Sequence, residues 1–435
     1  MKKILGVICA MMVVAAGGMA PVQAAGVKKG KCGKEVKWQY VVDAKILYIM
    51  GSGPMDDYGK YSLKDKKTPW ESFHTQIKKI IICDGVTSVG RHAFNECTRV
   101  ERVTFPSYSN FYISPHAFER CTSLDSVVIR AKEVGEYAFS GCYSLKRLSL
   151  VEGVTSIWRR SFAFTGVKMV HLPSTLESLP LAFEHCDSLY WVDVSSESQK
   201  LSSDLGRVCS KDGSVLYLVP SNELRRLEQV AWKEELVNMY LPEEQAEERR
   251  AVCRGLIQLC KEDGVLGISG AKIRRIAEGA ISNLGKLKHL VLDEGIEELD
   301  CFSIGGGDEL ISISFPSTLK SFGSHGNLCL GAGCTHLQQV FIASPNPEQL
   351  MSFKLDKSTD RAHTIKYCWT TLAPILHEPD ARTHCTWYVP KSAYERYKAH
   401  PLWGQLKIDT YSPSEGVTDI YWRDKNTYHY LMFER

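Results

Sequence analysis

Short segments in which apolar and polar residues alternate recur along this chain, and each is followed by a turn. The clearest is 145–150, where Leu145, Leu148 and Leu150 are separated by polar residues. Alternation of this kind predicts a β-strand with one buried face. Proline follows three of the segments, where a residue without an N–H ends strand pairing. The equivalent segments are 100–105, 124–129, 167–172, 189–194, 287–292, 310–315 and 337–342.

A second pattern indicates how these strands are connected. A phenylalanine preceded by Ala or Ser returns every 21 to 24 residues. A period in the low twenties predicts a solenoid, in which each coil buries its apolar side by stacking on its neighbours. Stacking would place the equivalent strands side by side in one parallel sheet, about 4.8 Å apart. The phenylalanines are Phe94, Phe118, Phe139, Phe162 and Phe183.

Cysteine occupies one repeated position of these coils, three residues after the phenylalanine. Equivalent positions in successive coils point the same way, which is poor disulfide geometry and suits small buried side chains in a column. We therefore expect free thiols at Cys97, Cys121, Cys142 and Cys186. Two further pairs, Cys329 with Cys334 and Cys368 with Cys385, lie outside the column, and their pairing stays open.

The repeat is less regular in the second half of the chain. Ile281 and Ile304 stand where phenylalanine stood, and Leu284 and Gly307 stand in place of cysteine. The apolar character persists, so the pattern predicts coils with a smaller core. Between the two blocks the repeat is lost, and Asp212-Gly213 is typical of a hairpin turn within 205–220. Further on, Pro242 followed by two glutamates predicts the start of a helix over 242–260.

The motif Gly-Val-Thr-Ser-Val-Gly-Arg-His-Ala-Phe-Asn-Glu-Cys-Thr-Arg-Val at 85–100 resembles the hallmark of the BspA-like, or treponemal-type, leucine-rich repeat surface proteins. Segments around Cys32-Gly33, Trp38 and Pro69-Trp70 resemble the N-terminal module of that family, and 387–394 resembles its closing segment. The resemblance implies a right-handed leucine-rich repeat solenoid, a β-rich α/β superhelix with N- and C-terminal caps, here with a short helical insertion. It also implies export and a role in interaction, including adhesion and binding to matrix proteins.

These patterns divide the chain into eight segments. The boundaries are predictions from where each pattern begins and ends. The segments are a signal peptide (1–24), an N-terminal capping module (25–75), a first repeat block (76–195), a β-hairpin (196–220), a helical insertion (221–264), a second repeat block (265–343), a C-terminal cap (344–411) and a C-terminal tail (412–435).

The N-terminus and the charge balance indicate an exported chain. Lys2 and Lys3 precede the apolar stretch 4–16, and Val22-Gln23-Ala24 forms a small-residue cleavage site, which together are typical of a secretory signal peptide. No other window is apolar enough to predict a transmembrane span. The formal net charge is +3, and the basic residues are dispersed, so no nucleic-acid partner is predicted. We expect a secreted or cell-surface protein of a bacterium.

The sequence offers no catalytic, cofactor-binding or metal-binding motif. His377-Glu378 is followed by Pro379 instead of a helical run to a second histidine, and Gly51-Ser52-Gly53 lacks the lysine of a phosphate-binding loop. No Gly-x-Ser-x-Gly elbow is present. We therefore expect no enzymatic activity, no cofactor and no metal.

A binding surface is instead expected on the outer face of the strands, where outward side chains of successive coils form a ribbon. The ribbon begins charged and becomes aromatic near 190. Exposed Tyr and Trp contribute strongly to binding. A second interpretation stays open, in which the hairpin or the helix folds over Tyr190 and Trp191 and buries them. The candidate binding residues are Arg102, Arg147, Met169, His171, Tyr190, Trp191 and Asp193.

Three functions are compatible with such a face. The first is protein–protein interaction or adhesion to an extracellular host or matrix protein. The second is binding of a polysaccharide by a glycan-binding accessory protein, which the aromatic end of the ribbon favours. The third is a structural cell-surface scaffold.

Overall fold

The computed structural model describes residues 26–59, 66–108, 110–238, 243–268, 272–282, 284–300, 303–322, 336–348, 385–401 and 403–411. The predicted signal peptide and C-terminal tail lie outside the described residues, as do Cys329, Cys334 and Cys368.

The described chain is a β-solenoid with few helices. Its strands up to the middle of the chain are β1 (Val27–Lys31), β2 (Val36–Val41), β3 (Ile46–Gly51), β4 (Gly53–Pro54), β5 (Lys79–Ile82), β6 (Val86–Val89), β7 (Arg102–Thr104), β8 (Tyr112–Ile113), β9 (Ser126–Ile129), β10 (Glu133–Val134), β11 (Arg147–Leu150), β12 (Ser156–Ile157), β13 (Met169–Leu172), β14 (Trp191–Val194), β15 (Leu201–Asp204), β16 (Arg207–Ser210) and β17 (Val215–Leu218).

The later strands are β18 (Val265–Ile268), β19 (Arg275–Ile276), β20 (Ile281–Ser282), β21 (His289–Leu292), β22 (Glu298–Leu299), β23 (Ile304–Gly305), β24 (Ser312–Phe315), β25 (Ser321–Phe322), β26 (Gln339–Ile342), β27 (Thr386–Pro390) and β28 (Ile408–Tyr411). The α-helices are α1 (Glu223–Asn238), α2 (Glu243–Gln258) and α3 (Tyr394–Ala399). A π-helical turn, Leu259–Asp263, continues α2, and short 3-10 helices span His74–Gln76, Lys391–Ala393 and Trp403–Gln405.

Each coil of the first block has three sides. One strand joins the sheet β1-β2-β3-β5-β7-β9-β11, a second short strand joins the sheet β4-β6-β8-β10-β12, and the Ala-Phe segment closes the coil. From β3 onward the first sheet is parallel, which confirms the predicted stacking of equivalent strands. The predicted strands begin about two residues too early, because Leu145 and its equivalents end the preceding turn with their side chains buried. The parallel ladder is interrupted between β11 and β13, and β13 pairs with β14.

A column of stacked aromatic rings forms the core of this block. Each of the five repeat phenylalanines is 2% exposed or less, and successive rings are stacked with centroids 5.1 to 5.6 Å apart. Trp70 of the N-terminal module extends the column, because its ring stacks on Phe94 at 5.2 Å and its Nε1 donates to the carbonyl oxygen of Ala93. The antiparallel strands β1–β3 pack Trp38 and Tyr40 beside it. The predicted N-terminal cap is thereby confirmed.

The backbone on either side of each phenylalanine takes a left-handed conformation, with φ between 50° and 72°. Of these ten positions, Gly141 alone is a glycine. At the other nine, an L-residue adopts the left-handed conformation at a steric cost of roughly 1 kcal/mol or more. Hydrogen bonds to the next coil hold it in place. One such bond runs from the Phe94 N–H to the Ala117 carbonyl and another from the Phe118 N–H to the Ala138 carbonyl.

Between the blocks the chain forms a meander and a helical hairpin. Strands β16 and β17 pair antiparallel across a turn in which the Ser214 N–H donates to the side chain of Asp212. The structure adds β15 to this hairpin and adds α1 before the predicted helix. Ala246 of the second helix and Cys260 of the π-helical turn after it are buried, whereas Ala251 is exposed.

The second block repeats the plan with aliphatic side chains. Its parallel sheet runs β18-β21-β24-β26-β27-β28 and its second sheet runs β15-β16-β17-β19-β22-β25. Ile281, Leu284 and Ile304 are at most 3% exposed, which confirms a core built of smaller residues. At the C-terminal end the rings of Tyr397 and Trp387 pack edge-on against Trp403, and Tyr397 donates its hydroxyl to the Ser344 carbonyl, so this end is capped as expected.

Candidate interaction face

The outward side chains of the first sheet form two rows. In register, Arg102 lies opposite Ser126, and Ser126 lies opposite Arg147. The same two rows continue on β13 and β14, where Met169 pairs with Trp191 and His171 pairs with Asp193. The parallel stacking therefore brings six of the predicted site residues onto one side of the solenoid, namely Arg102, Arg147, Met169, His171, Trp191 and Asp193. We call this side, defined by Arg102, Arg147, Met169, His171 and Asp193, the sheet face.

One half of the sheet face is basic with a single carboxylate between two guanidinium groups. Arg147 Nη2 lies 2.8 Å from Asp125 Oδ2, and the Ser126 hydroxyl donates to Asp125 Oδ1 at 2.7 Å. The Ser126 hydrogen bond and then the charges of Arg147 and Arg102 hold the pKa of Asp125 below its usual value. Both arginines are exposed. Since an exposed pair is worth at most about 1 kcal/mol, these groups are available to a partner.

The other half of the sheet face combines an apolar side chain with an exposed His–Asp pair. Met169 is 49% exposed. His171 Nδ1 lies 3.3 Å from Asp193 Oδ2, and both side chains are more than half exposed. Ser203 on β15 donates to the other oxygen of Asp193 at 3.2 Å, which fixes the carboxylate at the edge of the face.

Trp191 does not belong to the exposed face, and its prediction as an outward binding residue is wrong. The side chain is only 6% exposed. The turn between β15 and β16 covers it: a Cβ on Gly206 would lie 2.8 Å from Trp191 Cε3, and the Val192 N–H donates to the Gly206 carbonyl. Lys233 of α1 places its ammonium 3.9 Å from the ring centroid. The open alternative, burial by the inter-block segment, is therefore the one observed for Trp191.

Tyr190 is half-buried beneath the same helix. The guanidinium of Arg225 lies 5.6 Å from the centre of its ring. The covering helix is α1, not the helix that the sequence analysis placed over 242–260. The sequence carried a signal for α1 in Asn222, whose side chain accepts from the Arg225 N–H as an N-cap, and in the apolar spacing of Leu224, Leu227 and Val230.

A buried charge cluster holds α1 over the tryptophan. Glu223, at the start of the helix, accepts from Arg226 at 2.5 and 2.6 Å and from Arg207 at 3.1 Å. Arg226 also donates to the Leu205 carbonyl, and Arg207 donates to the Gly267 carbonyl. Burial alone would raise the pKa of Glu223, but the two guanidinium groups outweigh it and the pKa lies below its usual value. The cluster joins the helix, the meander and the second block.

Several large apolar side chains are exposed away from the sheet face, at positions that were not predicted as binding residues. Trp158, at 53%, follows a strand of the second sheet, and its Nε1 lies 3.4 Å from Glu133 Oε2. Phe164 stacks on His185 at 4.5 Å beside the Ala-Phe turns. Phe164 occupies the position that holds Glu96, Arg120 and His185 in other coils, so the periodic pattern does not mark it as apolar. The other large ones include Tyr143 and Trp232.

In the part of the chain that the structure describes, one group of side chains is suited to a metal ion. His92, His116 and Glu119 bring their donor atoms within 4.8 Å of one another. They lie on the Ala-Phe side of the coils and not on the sheet face. The structure thus brings together a donor set that no sequence motif predicts, and no metal site was expected. The available signal was the spacing of 24 residues between the histidines, one repeat period. Among the described helices, none has both the length and the apolar character needed to cross a membrane.

Comparison with known proteins gives one family match. Residues 71–205 and 268–351, together just over half of the chain, match the BspA type leucine rich repeat region in six copies. No curated protein sequence matches the chain.

Solved structures with a similar fold come from bacterial leucine-rich repeat proteins. A leucine-rich repeat protein from Eubacterium ventriosum is 14% identical, with 73% of this chain and 79% of that chain covered and a TM-score of 0.46. A leucine rich cell surface protein from Faecalibacterium prausnitzii is 16% identical, with 92% and 97% covered and a TM-score of 0.44. The pneumococcal vaccine antigen PcpA is 14% identical, with 90% and 100% covered and a TM-score of 0.46.

Proposed function

Because the chain belongs to the BspA-type leucine-rich repeat family, we propose that it is an exported, non-enzymatic protein that binds an extracellular host or matrix protein through its sheet face. The family and its solenoid fold are typically those of interaction proteins, which use extended surfaces built from one position of every coil.

The observation that carries the proposal is the composition of the exposed sheet face. Arg102 and Arg147 stand on either side of Asp125, and Met169 lies beside the pair of His171 and Asp193. Arginine and methionine are enriched at protein interfaces, and a surface with both signs of charge selects its partner by charge complementarity. Five parallel strands present these side chains from one rigid sheet and its continuation.

The burial of Trp191 favours a protein partner over a glycan. The polysaccharide interpretation depended on exposed aromatic rings at the end of the ribbon, and sugar rings need such a ring face for stacking. Trp191 lies under Gly206 and α1, and Tyr190 lies under Arg225. The exposed Trp158 is on another side of the coil. The paired residues of β10 and β12 beside it, Glu133 with Ser156 and Val134 with Ile157, include no aromatic side chain that could form a stacking surface with it.

The experiment is binding of the chain lacking residues 1–24 to an array of immobilised matrix proteins and polysaccharides. We expect a protein hit, and we expect the variant Arg102→Ala/Arg147→Ala/Met169→Ala to lose it by roughly tenfold or more. The matched control is Trp158→Ala, which removes an exposed aromatic from another side. A hit that survives the triple variant, or a polysaccharide hit alone, would contradict the proposal.

Export is tested separately. The pattern of Lys2, Lys3 and the apolar stretch 4–16 supports a signal peptide cleaved before Ala25. When the full chain is expressed in a bacterial host, we expect the product outside the cytoplasm with its N-terminus near Ala25, as read by mass spectrometry. An uncleaved product retained in the cytoplasm would overturn this part.

A further inference from the structure

We propose that His92, His116 and Glu119 form a binding site for one divalent transition-metal ion with zinc-like preferences. The site is independent of the sheet face and lies on the side of the coils formed by the Ala-Phe segments.

The repeat itself sets the two imidazoles side by side. His92 and His116 each stand two residues before a core phenylalanine, in left-handed conformations with φ of 52° and 58°. Main-chain bonds from each histidine to the following coil hold these conformations, with the His92 N–H on the Pro115 carbonyl and the His116 N–H on the Glu136 carbonyl. The rings are consequently stacked, with centroids 4.6 Å apart and planes 17° apart.

A carboxylate completes the donor set. Glu119 follows Phe118 in the same turn, and its Oε2 lies 2.9 Å from His116 Nδ1. Asn95 Nδ2 donates to the same oxygen at 2.9 Å, which orients the carboxylate. His92 is 7% exposed, and the side chains of His116 and Glu119 are 20% and 15% exposed. An ion would thus be largely shielded on the protein side and open to solvent on one side.

The chemistry of the donors selects the ion. Two imidazole nitrogens and one carboxylate oxygen, with one open position for water, are a set that zinc uses in proteins. Imidazole suits zinc, copper and nickel, whereas magnesium and calcium require mainly oxygen ligands. The donor atoms lie within 4.8 Å of one another. Zinc needs donor separations of about 3.3 Å. Binding therefore has to move His92 and His116 and tilt their stacked rings until one ring nitrogen of each points at the ion.

In the neighbouring coils, the position two residues before the repeat phenylalanine carries other side chains in place of histidine. In the coil after that of His116, Tyr137 stacks on the His116 ring with centroids 5.0 Å apart. One coil further, the guanidinium of Arg160 lies over the Tyr137 ring. Arg160 pairs with Glu184, which occupies the same repeat position as Glu119. The carboxylate is thus matched by a fixed cation in that coil. In the coils of His92 and His116 the equivalent side chains are imidazoles, whose nitrogen lone pairs can coordinate a metal ion together with the Glu119 carboxylate.

Cobalt(II) titration of the purified chain is the test, because tetrahedral cobalt reports its ligands by visible absorption. We expect one equivalent bound without a thiolate charge-transfer band, displacement by zinc, and a zinc-dependent rise in Tm. We expect His92→Ala, His116→Ala and Glu119→Gln each to weaken binding roughly tenfold or more, since even outer partners of metal ligands have effects of that size.

The matched control is His171→Ala, which removes an exposed histidine from the sheet face and should leave cobalt binding unchanged. Glu119→Gln keeps the shape of the side chain and an oxygen that can accept from Asn95, so it separates loss of a metal ligand from loss of folding. The folding of each variant is compared with that of the wild type by circular dichroism. Absence of binding, a thiolate spectrum, or equal affinity in a folded Glu119→Gln variant and the wild type would overturn the proposal.

Discussion

The thiol of Cys142 lies 3.3 Å from the carbonyl oxygen of Phe118, one coil earlier, and donates its S–H to it. The same bond joins Cys121 to Phe94 and Cys186 to Phe162. In the coil of Phe162 a buried Thr165 takes the cysteine position, and its hydroxyl lies 3.3 Å from the sulfur of Cys186. The repeated cysteine is therefore both a small core residue and a weak donor to a backbone oxygen in the column.

These thiols should be unreactive in the folded protein. Burial raises the pKa of Cys142 from 9.0 to about 12 and that of Cys186 to about 11, and it also raises the pKa of Cys97 and Cys121. Because the thiolate is the nucleophile, we expect no alkylation of these four residues by iodoacetamide at pH 8 until denaturant is added. Peptide mass spectrometry reads each site, and rapid labelling of Cys142 in the native chain would contradict the expectation.

The phenylalanine column should dominate the stability of the first block. Phe162→Ala removes a fully buried ring stacked on two neighbours and is expected to lower the free energy of unfolding by about 3 to 5 kcal/mol. Phe164→Ala, two residues away, removes a ring that is 43% exposed and stacked on His185. Its effect should stay within about 1 kcal/mol. Urea denaturation compares the two variants, and equal losses would contradict the assignment of the column as core.

Much of this fold could be predicted because repetition amplifies a weak signal. A single Ala-Phe pair says little, but four of them and one Ser-Phe pair at intervals of 21 to 24 residues predict the coil, the buried face and the column of Cys97 and its equivalents. The family motif at 85–100 then matches the same repeat. The predicted strands begin about two residues too early, because Leu124 and Leu145 are buried at the end of a turn in the same way as the apolar residues of a strand.

The candidate face was predicted less well where the repeat stops. The outward positions of Arg102, Arg147 and Met169 follow from the repeat itself. The burial of Trp191 depends on Gly206 and Lys233, which lie outside the repeat. Their contacts with the tryptophan ring come from another part of the chain and leave no periodic pattern in the sequence. The cluster of His92, His116 and Glu119 was missed for another reason: its members satisfy no linear motif, and only their equivalence in successive coils brings them together.

Gly206 should tolerate no side chain. Its φ is +84°, and an added Cβ would meet the ring of Trp191 at 2.8 Å. Gly206→Ala therefore combines a left-handed backbone cost of roughly 1 to 2 kcal/mol with a collision of similar size. Gly213→Ala is the matched control, because its φ is +79° but its nearest atom is Lys272 Cδ at 3.5 Å. We expect Gly206→Ala to lower Tm clearly more than Gly213→Ala does. The same shift for both would show that the turn does not press on Trp191.

Removing the charge of Glu223 should release α1. Glu223→Gln leaves the buried Arg226 and the partly buried Arg207 without their shared carboxylate, and breaking such a cluster typically costs about 3 to 5 kcal/mol. Glu228→Gln breaks only the exposed pair with Arg225 and should cost less than about 1 kcal/mol. Hydrogen exchange over Glu223–Asn238 measures the release. Protection equal to that of the wild type in Glu223→Gln would mean that the helix is held by other contacts.

Asp293 should make stability depend on pH near neutrality. Burial, and then the neighbouring charge of Glu294, raises its pKa from 3.8 to about 7, although Arg207 acts in the opposite direction. A carboxyl group that is harder to ionise when folded gives stability that is complete below pH 4 and is lost as the pH rises through 7. Asp293→Asn stays neutral, so the variant should gain on the wild type between pH 4 and 8 by up to roughly 4 kcal/mol. Denaturant unfolding at pH 4, 5.5, 7 and 8 measures the difference, and a difference that does not change with pH would show that Asp293 ionises normally in the folded chain.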